Sequence, residues 1–384
     1  MDEILFQITP DQLETGMRGF PVGYCVTSYV DPEKGLHYRG RSILEMEHWE
    51  PERVLYLLFK GKEGSSQDIA SFSSELKNRA HCSSASIKHL ASLPRQGHPM
   101  KLLASALLVL GALEGQNHYQ EDCLNLIAKL PHLVASLINY HAGWGETKPP
   151  RKELGYMESF VEMLNLPSQN KGPLKEVMRL MNILHYDHGG GNLSCFVGKS
   201  IASAHTDLYG SIAGSICALA GPLHGKANQD CLAFVKKIMH ENGEEADSEE
   251  IEREVRNRLE QQELLYGFGH AVLRREDPRA TILYGYAWNH FPENPLVRIA
   301  MELRTIGTQV LKENPKISDP YPNVDAISGT LLCAAGFPYP EYFAVLFGLS
   351  RAVGVAFQIL YERLEARGGK GTPIVRPRYL YKGP

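Results

Sequence analysis

The chain has no C-x-x-C pair, no block of consecutive Lys and Arg, no uninterrupted apolar run of bilayer length and few strand signals. Its seven cysteines, Cys25, Cys82, Cys123, Cys195, Cys217, Cys231 and Cys333, form an odd set without metal-ligand spacing. That argues against a disulfide framework and against a zinc site, so no metal is expected; Cys195, Cys217 and Cys333, in apolar helical contexts, read as small buried thiols. The formal charge of −4 comes with dispersed basic residues, which argues against a nucleic-acid surface. Without a run of about 18 apolar residues, no membrane span is expected. The first 19 residues are acidic and have neither the layout of a signal peptide nor that of a transit peptide, so a cytoplasmic protein is expected. No internal repeat is present, and the acidic stretch 241–255 reads as a solvated loop and helix start.

What is present is helical pattern over most of 384 residues, a length that suggests two domains. Residues 1–45 look extended, with a short hairpin expected in 23–40, where Asp31-Pro32 and Lys34-Gly35 punctuate β-branched and aromatic residues. Helices are expected at 50–60, 67–80, 99–114, 121–140, 152–164, 173–185, 196–219, 228–242, 248–264, 277–291, 294–314, 324–336 and 340–366. Segments 99–114 and 196–219 are apolar around most of their circumference, which predicts deep burial. The fold class is therefore mainly α with a minor N-terminal β element. Gly/Pro-rich segments at 221–225 and 336–340 bracket a central block, as expected of a domain inserted in a larger one with a hinge and cleft at the crossings.

Five stretches carry possible chemistry. Gly221-Pro222-Leu223-His224-Gly225 holds a histidine just before a helix N-terminus, where free amides and the positive dipole end favour a neutral imidazole able to donate to an oxyanion or enol. Residues 185–192 set His188 before three glycines, which let backbone approach a ligand closely. Residues 267–279 frame His270 with Gly267 and Gly269 and follow it with Arg274, Arg275 and Arg279, a set suited to a small polyanion. Asp325 in PYPNVDAISG opens a helix, and Arg351 stands inside an apolar one, where a charge requires an internal carboxylate or an anionic ligand. Each has a plain structural reading as well: an ordinary turn, a flexible loop, a surface helix start with solvated arginines, or an Asp facing the helix dipole. Arg376 and Arg378 by themselves read as exposed.

In order, HxGGN, GPLHGxAN, GxGHAVLRxxDPR, PNVDAxSG and LFGxSRAxG resemble the citrate synthase family, in the wording of its mitochondrial-type branch, from about residue 16 to the final RPR. The resemblance implies a two-domain helical homodimer, with a large domain of 1–225 plus 340–384 and a small domain of 226–339 closing over the substrates. It implies condensation of oxaloacetate with acetyl-CoA to citrate and CoA, at the entry to the tricarboxylic acid cycle, with no permanently bound cofactor. Asp325 would remove a methyl proton from acetyl-CoA, His224 would donate to the thioester oxygen, and His270 would polarise the oxaloacetate carbonyl. His188, Arg279 and Arg351 would hold the oxaloacetate carboxylates, with Arg376 reaching the neighbouring subunit's site. Arg18, Arg274, Lys316 and Asn323 match positions that touch CoA, and the backbone of Leu265, Gly267 and Gly269 matches the loop around its adenine.

The chain departs from the branch at Gly189, where an acidic residue is usual, at Ser318, which replaces a lysine near the CoA site, and in a longer segment between Arg351 and Arg376. Arg378 is the fallback for Arg376. Two rival readings remain open: 2-methylcitrate synthase acting on propionyl-CoA, separated from the first by one methylene worth about 1–3 kcal/mol, and a catalytically silent relative that binds CoA or a dicarboxylate.

Overall fold

The computed structural model describes residues 6–168 and 170–383. Near the N-terminus, β1 (Ser28–Asp31) pairs antiparallel with β2 (Gly35–Tyr38), and β2 with a short β3 (Arg41–Ser42). The Asp31 carboxylate accepts from the amides of Glu33 and Lys34 at 2.8 Å each, which closes the turn that the Asp-Pro and Lys-Gly pairs predicted. The third strand was not expected, since two residues carry no alternation to read.

Fifteen α-helices follow among the described residues: α1 (Pro51–Lys60), α2 (Ser66–Arg79), α3 (Ser84–Leu90), α4 (Pro99–Glu114), α5 (Tyr119–Ala142), α6 (Tyr156–Met163), α7 (Gly172–His185), α8 (Leu193–Ala202), α9 (Leu208–Leu219), α10 (Ala227–Asn242), α11 (Ser248–Glu260), α12 (Pro278–His290), α13 (Pro295–Lys312), α14 (Asp325–Ala334) and α15 (Phe343–Leu364). Starts follow local chemistry. Asp247 caps α11 in a capping box, and Asp277 and Asn294 cap α12 and α13, each with proline at the first helical position.

Two expectations fail here. Residues 196–219 fall in two helices rather than one, because His205 adopts φ 61° and the Asp207 side chain accepts from the Gly210 amide to cap a new start. Nor are 99–114 and 196–219 deeply buried on all sides: Leu108 and Leu113 are about half exposed and Cys217 is exposed, as is Leu193, which opens α8 just before the second segment. Apolar composition all round therefore leaves an outward apolar face on α4, α8 and α9, a feature of surfaces that meet a partner.

Helix α15 is the spine. It packs on α5, α7, α8 and α9, and it is the one described helix long and apolar enough to cross a membrane, although the protein buries 94% of the relevant window. A second group forms where α10 packs on α13 and α14, α11 on α13, and α12 on α14. The site lies where the ends of α7, α12 and α14 meet α15.

Candidate active site

Three short segments bring the histidines together. The chain leaves α7 through Tyr186-Asp187-His188, and the rings of His188 and His270 meet edge to face with centroids 5.2 Å apart. His270 is held from the opposite side by a paired loop. Gly269 donates to the Tyr321 carbonyl at 2.9 Å, Asn323 donates to the Gly267 carbonyl at 2.8 Å, and Phe268 bridges Pro322. Gly267 has φ +83°, and a Cβ there would lie 2.6 Å from Ala326 Cα, so glycine lets this loop touch the start of α14.

The same loop fixes Asp325. The Asn323 side chain donates to the Gly269 carbonyl at 2.8 Å and accepts from the Asp325 amide at 2.9 Å, so this amide, expected to contact CoA, is engaged inside the protein. Asp325 keeps partial solvent contact, but burial pushes its carboxyl up to about 6, a rise augmented by Asp277 and opposed by Arg279 and Arg351.

Backbone donors set the ring tautomers. His270 Nδ1 accepts from the amides of Val272 and Leu273 at 3.0 Å each, which places the ring proton on Nε2. His224 Nε2 accepts from the Ser194 amide at 3.3 Å and lies 3.0 Å from the Ser194 hydroxyl, which leaves the proton on Nδ1. Both rings are neutral: burial, then Arg279, takes His270 down to about 4, and burial with Arg351 lowers His224. The neutrality of His224 expected from its place before α10 is present, but burial is its largest cause. His188 Nε2 is buried without a partner, and burial together with Arg279, Arg351, His270 and His185 holds that ring well below the usual histidine range.

The two buried arginines differ. Arg279 is forked onto Asp277, with Nε 3.1 Å from both carboxylate oxygens and Nη2 2.7 Å from Oδ2. Arg351, only 3% exposed, uses Nε to donate to the His185 carbonyl at 3.1 Å and lies over the Phe347 ring. Its two Nη groups have no protein partner among the described residues, and no carboxylate lies within ion-pair distance. Of the two anions that a charge in an apolar helix required, the internal carboxylate is therefore absent at contact range.

The remaining expected residues lie further out. Arg376 is exposed in the C-terminal segment, lining a cavity of about 890 Å³ with Gly190, Gly191 and Lys199. Arg378 is exposed beyond it. Arg18 is exposed before β1, Lys316 is exposed after α13, and Leu265 is buried. Arg274 is exposed and donates to the carbonyls of Val272 and Leu273, while Arg275 pairs with Glu33 at 2.5 Å. Among the described residues no group of three or more His, Cys, Asp or Glu could hold a metal ion.

Sequence reading missed Ser194, which orients His224, and Asp277, which holds Arg279. Asp277 had a signal, since Asp before Pro-Arg is a helix cap. Ser194 had none, because thirty residues separate it from its histidine.

Comparison with known proteins gives one result throughout. Residues 16–378 match a family model described as citrate synthase, C-terminal domain. Curated relatives include citrate synthase 4, mitochondrial, of Arabidopsis thaliana, 36% identical over 97% of this chain and 82% of its own length. The mitochondrial citrate synthase of Citrus maxima is 35% identical over 97% and 83%. Among solved structures, citrate synthase from Thermotoga maritima superposes with a TM-score of 0.81 at 27% identity, covering 97% of this chain and 96% of that one. A Thermoplasma acidophilum citrate synthase holding carboxymethyl coenzyme A and oxaloacetate gives 0.83 at 23% identity, covering 96% of each, a likeness of fold. These findings overturn the cytoplasmic expectation: the curated relatives from Arabidopsis, Citrus and Daucus are all named as mitochondrial.

Proposed function

This chain belongs to the citrate synthase family and is an enzyme that transfers an acyl group, and from its site we propose that it condenses oxaloacetate with acetyl-CoA and water to give citrate and free CoA. The observation that carries this reading is Arg351, a buried guanidinium with both Nη groups open, facing a cluster where His188 Nε2 is also unpartnered. A dicarboxylate supplies what that cluster lacks, because carboxylates accept fork-like donors and offset the desolvation of the cation. Arg279, pre-oriented by Asp277, supplies a second cation.

The chemistry then follows from protonation states. A methyl group next to a thioester is a weak acid, so Asp325 takes its proton only while a donor meets the charge forming on the thioester oxygen. His224 supplies that donor through Nδ1–H. The enolate carbon attacks the keto carbon of oxaloacetate while the His270 Nε2–H hydrogen-bonds to the oxygen that becomes the citrate hydroxyl, and the proton that Asp325 took from the methyl group makes good the one this hydroxyl gains, so that Asp325 returns to its carboxylate and His270 stays neutral. Water then cleaves the thioester, releasing CoA and citrate. No resident cofactor takes part, and CoA enters and leaves as co-substrate, with Arg18, Arg274, Lys316 and the 265–269 loop proposed to receive it.

We further propose that residues 226–339 close as a small domain on 1–225 and 340–384, excluding water from the thioester, and that the enzyme is a homodimer. The exposed apolar side chains of Leu108 and Leu113 on α4, of Leu193 on α8, and of Tyr379 and Tyr381 near Arg376 in sequence support a second copy covering some of this surface. The test is thiol release from acetyl-CoA and separately propionyl-CoA, each with and without oxaloacetate. Oxaloacetate-dependent release favouring acetyl-CoA, abolished by Asp325→Asn with oxaloacetate binding intact, is expected. A propionyl-CoA preference reassigns the substrate, and no release from folded protein refutes the reaction.

A further inference from the structure

One face of α15 grips the end of α7 and the loop after it at helical spacing. Phe347 packs edge on against His185, Arg351 donates to the His185 carbonyl, and Gly354 donates to the Tyr186 carbonyl at 3.1 Å. One turn further, Gln358 Nε2 donates to Asp187 Oδ1 at 2.8 Å and to the Gly189 carbonyl at 3.1 Å. Its Oε1 accepts from Lys199 Nζ at 3.3 Å, and Lys199 pairs with Glu362 at 2.9 Å, both side chains 12% exposed. These partners fix the amide's orientation, since only its nitrogen can face a carboxylate and a carbonyl while its oxygen faces an ammonium.

Asp187 is fully buried and faces no cation at ion-pair distance among the described residues. Its hydrogen bonds come from neutral donors alone: Gln358 and the His188 amide on Oδ1, the latter at 2.9 Å, and the Thr27 hydroxyl on Oδ2. A buried carboxylate so held is a rigid anchor, because losing any donor leaves a desolvated charge. What it anchors is the backbone amide of His188. On the other side, Ser28 Oγ accepts from the Gly189 amide at 2.8 Å, so both peptide groups flanking His188 are clamped while its ring is left free.

We propose that Gln358, acting with Thr27 through Asp187, is a positioning residue that sets the His188 ring for the keto-dicarboxylate and thereby tunes the affinity for that substrate. Gln358 touches no reacting atom. At Gly189 the chain lacks the acidic side chain that the resemblance led us to expect, and Gln358 bonded to the Gly189 carbonyl provides the tether there. The inference rests on the oxaloacetate reading above.

The test is steady-state kinetics of the full-length protein bearing Gln358→Met, which keeps the length of the side chain and removes both donors. Loss of a hydrogen bond to a charged group corresponds to roughly a tenfold change, so KM for oxaloacetate is expected to rise about tenfold while KM for acetyl-CoA stays within about twofold. In a His188→Ala background the same substitution is expected to add little, because the two act as one unit. Thr27→Val, nearly isosteric, supplies a second variant should Gln358→Met not fold, with a KM rise of about threefold that Thr27→Ser reverses. An unchanged oxaloacetate KM in active Gln358→Met or Thr27→Val enzyme, or full additivity with His188→Ala, overturns the inference. Failure of the oxaloacetate reading looks different, since the unmodified enzyme would then show no oxaloacetate-dependent thiol release.

Discussion

Replacing Arg351 with methionine separates a binding cation from a structural one. Arg351 is 3% exposed, donates to one carbonyl, and among the described residues has no carboxylate within ion-pair distance. Burial is the main influence lowering its proton affinity, with nearby Arg279 acting the same way and Asp187 opposing both. An uncompensated buried charge costs about 3–5 kcal/mol; the His185 carbonyl and the field of Asp187 return part of that, leaving roughly 2 kcal/mol unrecovered in the free protein. Methionine fills similar volume without charge, so the free Arg351→Met protein is expected to be more stable by about that amount. For a chain of this length the unfolding entropy is about 0.8 kcal/mol per kelvin, so the melting temperature rises by roughly 2–3 °C. Oxaloacetate at a hundred times its Kd adds about 2.7 kcal/mol to the unmodified protein and is expected to add nothing measurable to the variant. Calorimetric melts of both proteins, with and without oxaloacetate, check all four values. A variant that melts below the parent without ligand shows that Arg351 is a structural cation, and one that keeps its oxaloacetate shift refutes its role in binding.

Four other outcomes follow from the same geometry. Because Asp325 must be ionised to act and its pKa is raised to about 6, kcat/KM for acetyl-CoA is expected to fall about tenfold per pH unit below 6; a flat profile down to pH 5 refutes its assignment as base. A raised carboxyl pKa also means that the native state holds this proton more tightly than the unfolded chain, so the stability it contributes is fully present below about pH 4 and is lost as pH rises through 6. Urea midpoints of wild type and Asp325→Asn should therefore diverge over that window, with the variant the more stable above it. Ser194→Ala is expected to lower kcat by about tenfold to a hundredfold with little change in oxaloacetate affinity, because His224 keeps the Ser194 amide but loses the hydroxyl; an unchanged kcat refutes the orienting role. Gly354→Ala would place a Cβ 2.2 Å from the Tyr186 carbonyl oxygen and 2.6 Å from Asp187 Cβ, so a loss of roughly 2–4 kcal/mol in denaturant melts and weaker oxaloacetate binding are expected.

Helices were legible wherever a cap and a period coincided. Asp277-Pro278, Asn294-Pro295 and Asp247 announce α12, α13 and α11 within a residue or two of their observed starts. The seven-residue α3 was missed, since two turns carry too little period to read. The break between α8 and α9 was missed because the residues flanking it are all acceptable in a helix, and the Asp207 cap is only one side chain. The outward faces of α4, α8 and α9 were misread for another reason: composition measures how apolar a helix is, not what covers it.

The sequence by itself determined the mainly helical fold, the family, and the residue types able to do acid–base chemistry on a dicarboxylate, because glycine-framed histidines and an arginine inside an apolar helix are local facts. It did not determine the state of those residues. Burial, not helix position, leads in keeping His224 neutral, and enclosure by the protein raises Asp325. Only the fold placed Asp277 under Arg279, left Arg351 without a carboxylate at contact range among the described residues, and brought Ser194 to His224 and Gln358 to Asp187. Protonation, tautomer and ion pairing depend on dielectric and on contacts within about 4 Å, and the chain sets those only after segments far apart in sequence have packed.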